Sequence, residues 1–140
     1  LQTIKTPVKV LVVEDNPVNQ MVLKGILKKA GVVVTTADNG AEAVTKFEES
    51  CPDLILMDCQ MPIKDGFMAT REIRLLEQQQ SKAKSTPIIA VTANAMSGDK
   101  ERCLASGMDD YLKKPVDKTV ILERLSYWLP QLSSTNSGQH

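Results

Sequence analysis

Short apolar runs alternate with stretches of helical periodicity from one end of this 140-residue chain to the other, and each run stops at a residue able to do chemistry. Few folds accommodate such a pattern. Val8 to Val13 is Val-rich and interrupted only by Lys9, as a strand buried on both faces of a parallel sheet reads. Glu14 and Asp15 end it. Pro17 suits the first turn of a helix, Asn16 or Asp15 is placed to cap it, and Val18, Val22, Leu23, Ile26, Leu27 and Ala30 recur on one face until Lys28, Lys29 and Gly31 close it. The unit then repeats. Val32 to Ala37 reads as a strand, followed by a helix over Gly40 to Glu49 with Gly40, Ala43, Val44 and Phe47 on one side. Asp53 to Met57 is a strand ending at Asp58, and Phe67 to Gln78 a helix with Ala69, Ile73 and Leu76 inward. Pro87 to Val91 is a strand ending at Thr92, and a helix over Ser97 to Ser106 is stopped by Gly107. Asp110 to Leu112 is a short strand ending near Lys113 and Lys114, and Asp117 caps a last helix with Ile121, Leu125 and Trp128 inward.

A parallel crossover needs its own connecting element, so strict alternation implies an α/β fold with helices on both faces of a parallel sheet. One domain over 8–129 is expected, with a linker over 1–7, a polar exposed loop over Gln78 to Thr86, and a flexible tail over 130–140. The 17 Lys and Arg balance the 17 Asp and Glu, which leaves no basic field for a phosphate backbone and disfavours direct nucleic-acid binding. No apolar run approaches the roughly 20 residues that span a bilayer, and Leu1 to Pro7 lack the apolar block of a signal peptide, so no membrane contact and a cytoplasmic location are expected. Cys51, Cys59 and Cys103 show no CxxC spacing and are expected to be reduced and inert. The single histidine is His140, in the tail.

In an open α/β sheet, ligands bind beyond the carboxyl ends of the strands. At those ends stand Glu14, Asp15, Asp58, Thr92 and Lys114, drawn from about a hundred positions to one edge by the fold alone. Two like charges about 4 Å apart at an effective dielectric near 20 cost about 4 kcal/mol, so three carboxylates there need a compensating charge. Protonation of one acid would serve, but a hard divalent cation does so with the charges kept; Mg²⁺ is the expected ion. A carboxylate beside a cation that still holds waters is arranged to attack phosphorus, and the product would be an aspartyl phosphate. Lys114 would supply a point charge and Thr92 a hydroxyl to the phosphoryl oxygens.

Leu11-Val12-Val13-Glu14-Asp15-Asn16, Leu56-Met57-Asp58-Cys59-Gln60-Met61-Pro62 with Asp65-Gly66, Val91-Thr92-Ala93 and Lys113-Lys114-Pro115 together resemble the receiver domains of response regulators and hybrid sensor histidine kinases. The resemblance spans about 8–129. It implies a flavodoxin-like, doubly wound (βα)5 fold with strand order 2-1-3-4-5. It implies Asp58 as phosphoacceptor, and Glu14, Asp15, Asp58 and the backbone carbonyl of Gln60 as ligands of Mg²⁺, for which Mn²⁺ can substitute. Thr92 and Tyr111 look like a switch pair, and Lys114 like the phosphoryl-contacting lysine before a cis proline. Glu14 stands where Asp often does, and its extra methylene suits a water-mediated metal contact. Gly66 is expected to supply a conformation other residues resist, and Gln60 and Asn94 to tune hydrolysis.

With only His140 available, the phosphoryl donor must lie on a partner: a histidine kinase or a histidine-containing phosphotransfer domain. No glycine-rich nucleotide box is present, so the segment itself is not expected to bind ATP or to be an enzyme beyond self-phosphorylation and autodephosphorylation at Asp58. A phosphatase using an aspartyl phosphate would want a second acid where Gln60 stands. A flavin carrier would want backbone and hydroxyl donors where Glu14-Asp15-Asn16-Pro17 stands, and a purely structural module has no use for mutually repelling acids. The wording Asp15-Asn16-Pro17-Val18-Asn19 and Thr92-Ala93-Asn94-Ala95-Met96 looks more like hybrid kinases than free-standing regulators. A monomer or weak dimer is expected.

Overall fold

The computed structural model describes residues 8–59, 61, 63–80, 85–93, 97–114 and 116–129. The expectations for the linker over 1–7, the tail over 130–140, Gln60, Pro62, Asn94, the peptide at Pro115 and His140 fall outside them. Five strands and five helices follow one another as β1 (Lys9–Val13), α1 (Pro17–Lys29), β2 (Val33–Ala37), α2 (Gly40–Ser50), β3 (Leu54–Asp58), α3 (Gly66–Gln79), β4 (Ile88–Thr92), α4 (Ser97–Ser106), β5 (Asp110–Lys113) and α5 (Lys118–Trp128). All pairings are parallel and the sheet order is β2-β1-β3-β4-β5, so the expected α/β class and order hold.

Period-two alternation sends neighbouring residues of each strand to opposite faces. Val10, Val12, Leu54, Leu56, Ile89 and Val91 meet Leu23, Leu27, Ile121 and Leu125 of α1 and α5 on one side. Leu11, Val13, Ile55, Met57, Ile88 and Ala90 meet Phe47, Ala69, Ile73 and Cys103 of α2, α3 and α4 on the other. β3 and β4 are buried along their whole length, which is why they read as continuous apolar runs. β2, at the edge, buries only Ala37.

The inward face expected of α1 is wrong in part. Leu23 and Leu27 are buried, but Val18 is 67% exposed and Val22 53%. Helical spacing marks residues that share a face, whether or not a neighbouring element covers all of them. Asn16 is the cap: its side chain accepts from the amides of Val18 and Asn19 at 2.9 and 3.1 Å. The exposed loop expected between α3 and β4 needs correcting at its end, because Thr86 is buried, donating its amide to Glu77 Oε2 at 2.7 Å. Trp128, expected inward, packs half-buried against the core and also donates its indole N–H to Asp110 Oδ2 at 3.0 Å.

Candidate functional site

The strand order reverses between β1 and β3, and the loops after β1, β3, β4 and β5 surround that point. Asp58 is the last residue of β3 and buried; Glu14, just past β1, is buried too, while Asp15 is exposed. One carboxylate oxygen from each of the three lies within 4.8 Å of the others, so the sheet assembles the acidic cluster expected from the strand ends.

Each acid is placed by backbone around it. The amide of Glu14 donates to Ala37 O at 3.0 Å, and Gln20 of α1 donates its side-chain amide to Glu14 O and to Asp38 Oδ1, both at 2.8 Å. Gln20 thus braces the end of β1 against the loop after β2, a role no sequence pattern signalled. Asn16 N–H donates to Glu14 Oε2 at 3.1 Å. Asp58 is held by its place in β3, paired with Val91 of β4, and by Gly66, whose absent Cβ would run into the backbone carbonyl of Asp58. Gly66 does not lie among the residues of positive φ, so its value is space and not the conformation expected of it.

Lys114 crosses the cluster. Its amide donates to Thr92 O at 2.8 Å, and its Nζ lies 3.0 Å from Glu14 Oε1 and 3.3 Å from Asp58 Oδ2. Burial would lower its pKa, but the contact with Glu14 and the charges of Asp58 and Glu14 outweigh that and leave it raised, so Lys114 is a fixed cation and not a base. Thr92 is buried at the end of β4, one strand from Lys113. Tyr111 is half-buried on β5 against the α2–α4 side of the core, with Lys100 Nζ 5.5 Å from its ring centre. A cavity of about 470 Å³, bordered by Glu14, Val22, Ala93, Lys114 and Val116, opens beside the cluster.

One lysine facing three carboxylates leaves net negative charge at the site, since the ammonium 3.0 Å from Glu14 Oε1 and 3.3 Å from Asp58 Oδ2 offsets only one of the three. An all-oxygen set with unspent acceptors is what a hard divalent ion requires, so these residues fit one.

Across the sheet, α4 brings Cys103 within reach of Cys59, the residue after Asp58, with Sγ atoms 3.6 Å apart. The spacing of the cysteines had given no sign of it, because the meeting depends on how α4 packs against α3 and β5. No disulfide joins the two cysteines in the structure.

The family model of the response regulator receiver domain matches residues 10–126. The chain is 47% identical over 122 residues to hybrid signal transduction histidine kinase I of Dictyostelium discoideum, covering 84% of this chain and 7% of that protein. Its fold matches the receiver domain of sensor histidine kinase PA1611 of Pseudomonas aeruginosa, which carries a magnesium ion in its active-site cleft, with TM-score 0.78, 46% identity and coverage of 88% of this chain and 98% of that one. It also matches a chain from the co-crystal of the Saccharomyces cerevisiae phosphotransfer protein Ypd1 with the receiver domain of Ssk1, with TM-score 0.81, 37% identity and coverage of 90% and 91%. The chain belongs to the response regulator receiver family. It spans under a tenth of the length of the Dictyostelium kinase. Among the described residues no helix is long and apolar enough to cross a membrane.

Proposed function

We propose that this receiver takes a phosphoryl group from a phosphohistidine onto Asp58 and relays or switches a phosphorelay signal. The observation that carries the reading is a buried carboxylate with a lysine ammonium 3.3 Å away and two further acids within 4.8 Å. An Asp58 oxygen bonds to phosphorus as the phosphorus–nitrogen bond breaks, and that bond's electron pair returns to the partner's imidazole. Lys114, already cationic, moves from the carboxylate to a phosphoryl oxygen, while Thr92 lies at the adjoining strand end to donate its hydroxyl. Glu14, Asp15 and Asp58, with the Gln60 carbonyl as a further ligand, would hold Mg²⁺ or Mn²⁺, which when bound neutralises the phosphoryl oxygens. Movement of Thr92 toward the phosphate would free space for Tyr111 to turn inward and change the α4–β5 surface.

The donor is a histidine kinase or a histidine-containing phosphotransfer domain, in line with the partner of the Ssk1 receiver. Its histidine has to reach Asp58, so the partner covers the rim of the site. There the unburied Val18, Met21 and Val22 of α1 offer the apolar surface a docking helix would bury. The relatives support a hybrid sensor histidine kinase as the parent chain, and our reading places any membrane anchor of that parent outside this segment. The isolated domain then has no turnover beyond its own phosphorylation and dephosphorylation, and acts as a monomer or weak dimer on protein partners rather than nucleic acid.

Intact mass after acetyl phosphate and Mg²⁺ tests the reading. One added phosphoryl group in the wild type with metal, and none in Asp58→Asn or without metal, is expected; an equal gain in Asp58→Asn would move the acceptor elsewhere. Met21→Glu should keep acetyl phosphate labelling and slow transfer from a phosphorylated phosphotransfer domain, and unchanged transfer would remove α1 from the docking surface.

A further inference from the structure

Cys59 and Cys103 are 44 residues apart in sequence, yet their sulfurs lie 3.6 Å apart on the α2–α4 side of the sheet. We infer that they form a reversible disulfide that ties the end of β3 to α4 and slows phosphoryl uptake at Asp58. The bridge stands on the sulfur geometry; its effect on uptake rests on Asp58 being the acceptor.

A disulfide has an S–S length near 2.05 Å, so the sulfurs must close by about 1.5 Å. The two residues are not equally free to move. Cys59 is clamped at the end of the sheet, its amide donating to Val91 O at 3.2 Å and its carbonyl accepting from Gly66 N–H at 3.2 Å. Cys103 belongs to α4, a helix on the outer layer. Closure therefore draws α4 toward β3 and strains the clamp beside Asp58. The same helix carries Arg102, 4.4 Å from the Phe67 ring centre, and Lys100 over Tyr111, so its displacement reaches the α3 start and the β5 aromatic as well.

The oxidant is hydrogen peroxide. The Cys59 sulfur attacks the peroxide oxygen, the O–O bond breaks, one water leaves, and a sulfenic acid remains. The Cys103 sulfur then attacks that sulfur, the S–S bond forms and a second water leaves; two thiols are oxidised and one peroxide is reduced. Cys59 is the first to react because it is 3% exposed while Cys103 is at 0%. Thiols this enclosed oxidise slowly, so the bridge registers prolonged oxidation and not brief pulses. Cys51, exposed and without a neighbouring thiol among the described residues, can only link separate chains.

The test uses the full chain with Cys51→Ser, incubated with hydrogen peroxide, then denatured and alkylated. The mass should fall by two hydrogens with neither remaining thiol alkylated, digestion should give a peptide linking 59 to 103, and dithiothreitol should reverse both. The rate of phosphoryl uptake from acetyl phosphate should drop about tenfold on oxidation, within the range that misplacing a reacting group by an ångström costs, and recover with dithiothreitol. Adding Cys103→Ala should leave uptake as in the reduced chain and make it indifferent to peroxide. Full alkylation after peroxide, or oxidation without the linked peptide, overturns the bridge. A linked peptide with unchanged uptake overturns the coupling. If the reduced chain takes up no phosphoryl group, the assignment of Asp58 has failed, and the linked peptide alone decides for or against the bridge.

Discussion

Glu14 and Asp58 hold their charges almost out of water, with Lys114 shared between them and Asp15 adding a third negative group. One cation cannot balance three anions, so without metal the cluster is strained by its own repulsion. Replacing Asp58 by Asn removes one charge and keeps the shape. Because Lys114 then pairs with Glu14 alone, the net gain should be well below the roughly 4 kcal/mol of a bare pair at 4 Å, about 1–2 kcal/mol in urea unfolding of the metal-free protein. Saturating Mg²⁺ should shrink that difference, because only the wild type keeps the full ligand set; a variant less stable than wild type in both conditions would mean the carboxylate is a structural anchor. The acids, Thr92 and Lys114 were legible in sequence because each follows an apolar run, and a parallel sheet sends every run's end to one edge. Gln20 and the Cys59–Cys103 contact were not. A glutamine within a helix and two unspaced cysteines carry no pattern, and their partners are chosen by packing.

Helices α1 and α5 show where element-level reading holds and where it fails. Periodicity placed both helices, yet it put Val18 and Val22 on the inward face, because spacing says which residues share a face and not which of them a neighbour covers. On α5 it placed Trp128 inward, where it does pack against the core, but gave no sign that Trp128 and Arg124 are tied to Asp110 of β5 at 3.0 and 2.6 Å. Burial pushes the Asp110 carboxyl up, but the hydrogen bonds from Trp128, Arg124 and the Tyr111 amide, with the charge of Arg124, leave its pKa lowered. A carboxyl depressed in the folded state stabilises the fold above its unfolded value, about 3.9, and that contribution fades as pH falls through the lower folded value. Asp110→Asn should therefore be less stable than wild type at pH 6, with the gap in urea midpoints narrowing below about pH 4. Trp128 emission reports both transitions; a gap constant down to pH 2 would show that ionisation of Asp110 contributes nothing.

At the scale of the molecule, the sheet has an edge for chemistry and an opposite edge for cohesion. The order of strands and the two cores followed from the apolar runs, since each run is long enough to cross the sheet once and each crossover needs a helix. The fastening at the amino ends of β4 and β5 did not, because it depends on one arginine reaching several chain segments. Arg74 of α3 donates to Glu77 Oε1 at 2.9 Å, Thr86 O at 2.8 Å, Asp109 Oδ2 at 2.8 Å, and Gly107 O at 3.0 Å from Nε and 2.8 Å from Nη2. Asp109 Oδ2 also accepts from Ile88 N–H at 2.9 Å, and Gly107, at φ +110°, takes a conformation that turns its carbonyl toward the guanidinium. With Glu77 buried, Arg74→Met would leave a carboxylate without its cation and three segments without their common donor. Breaking a buried pair from one side costs about 3–5 kcal/mol, and denaturant unfolding should show a loss of that size. Arg74→Met with Glu77→Gln should recover part of it, because the buried charge is gone and only the more exposed Asp109 is left without the guanidinium. In both variants, at a temperature where they are folded, phosphoryl uptake by Asp58 should match wild type, since the network lies at the far end of β4 from the acids. A slower uptake in the folded double variant would mean that the two edges are coupled through the sheet, and that the amino ends of β4 and β5 help to set the position of Asp58.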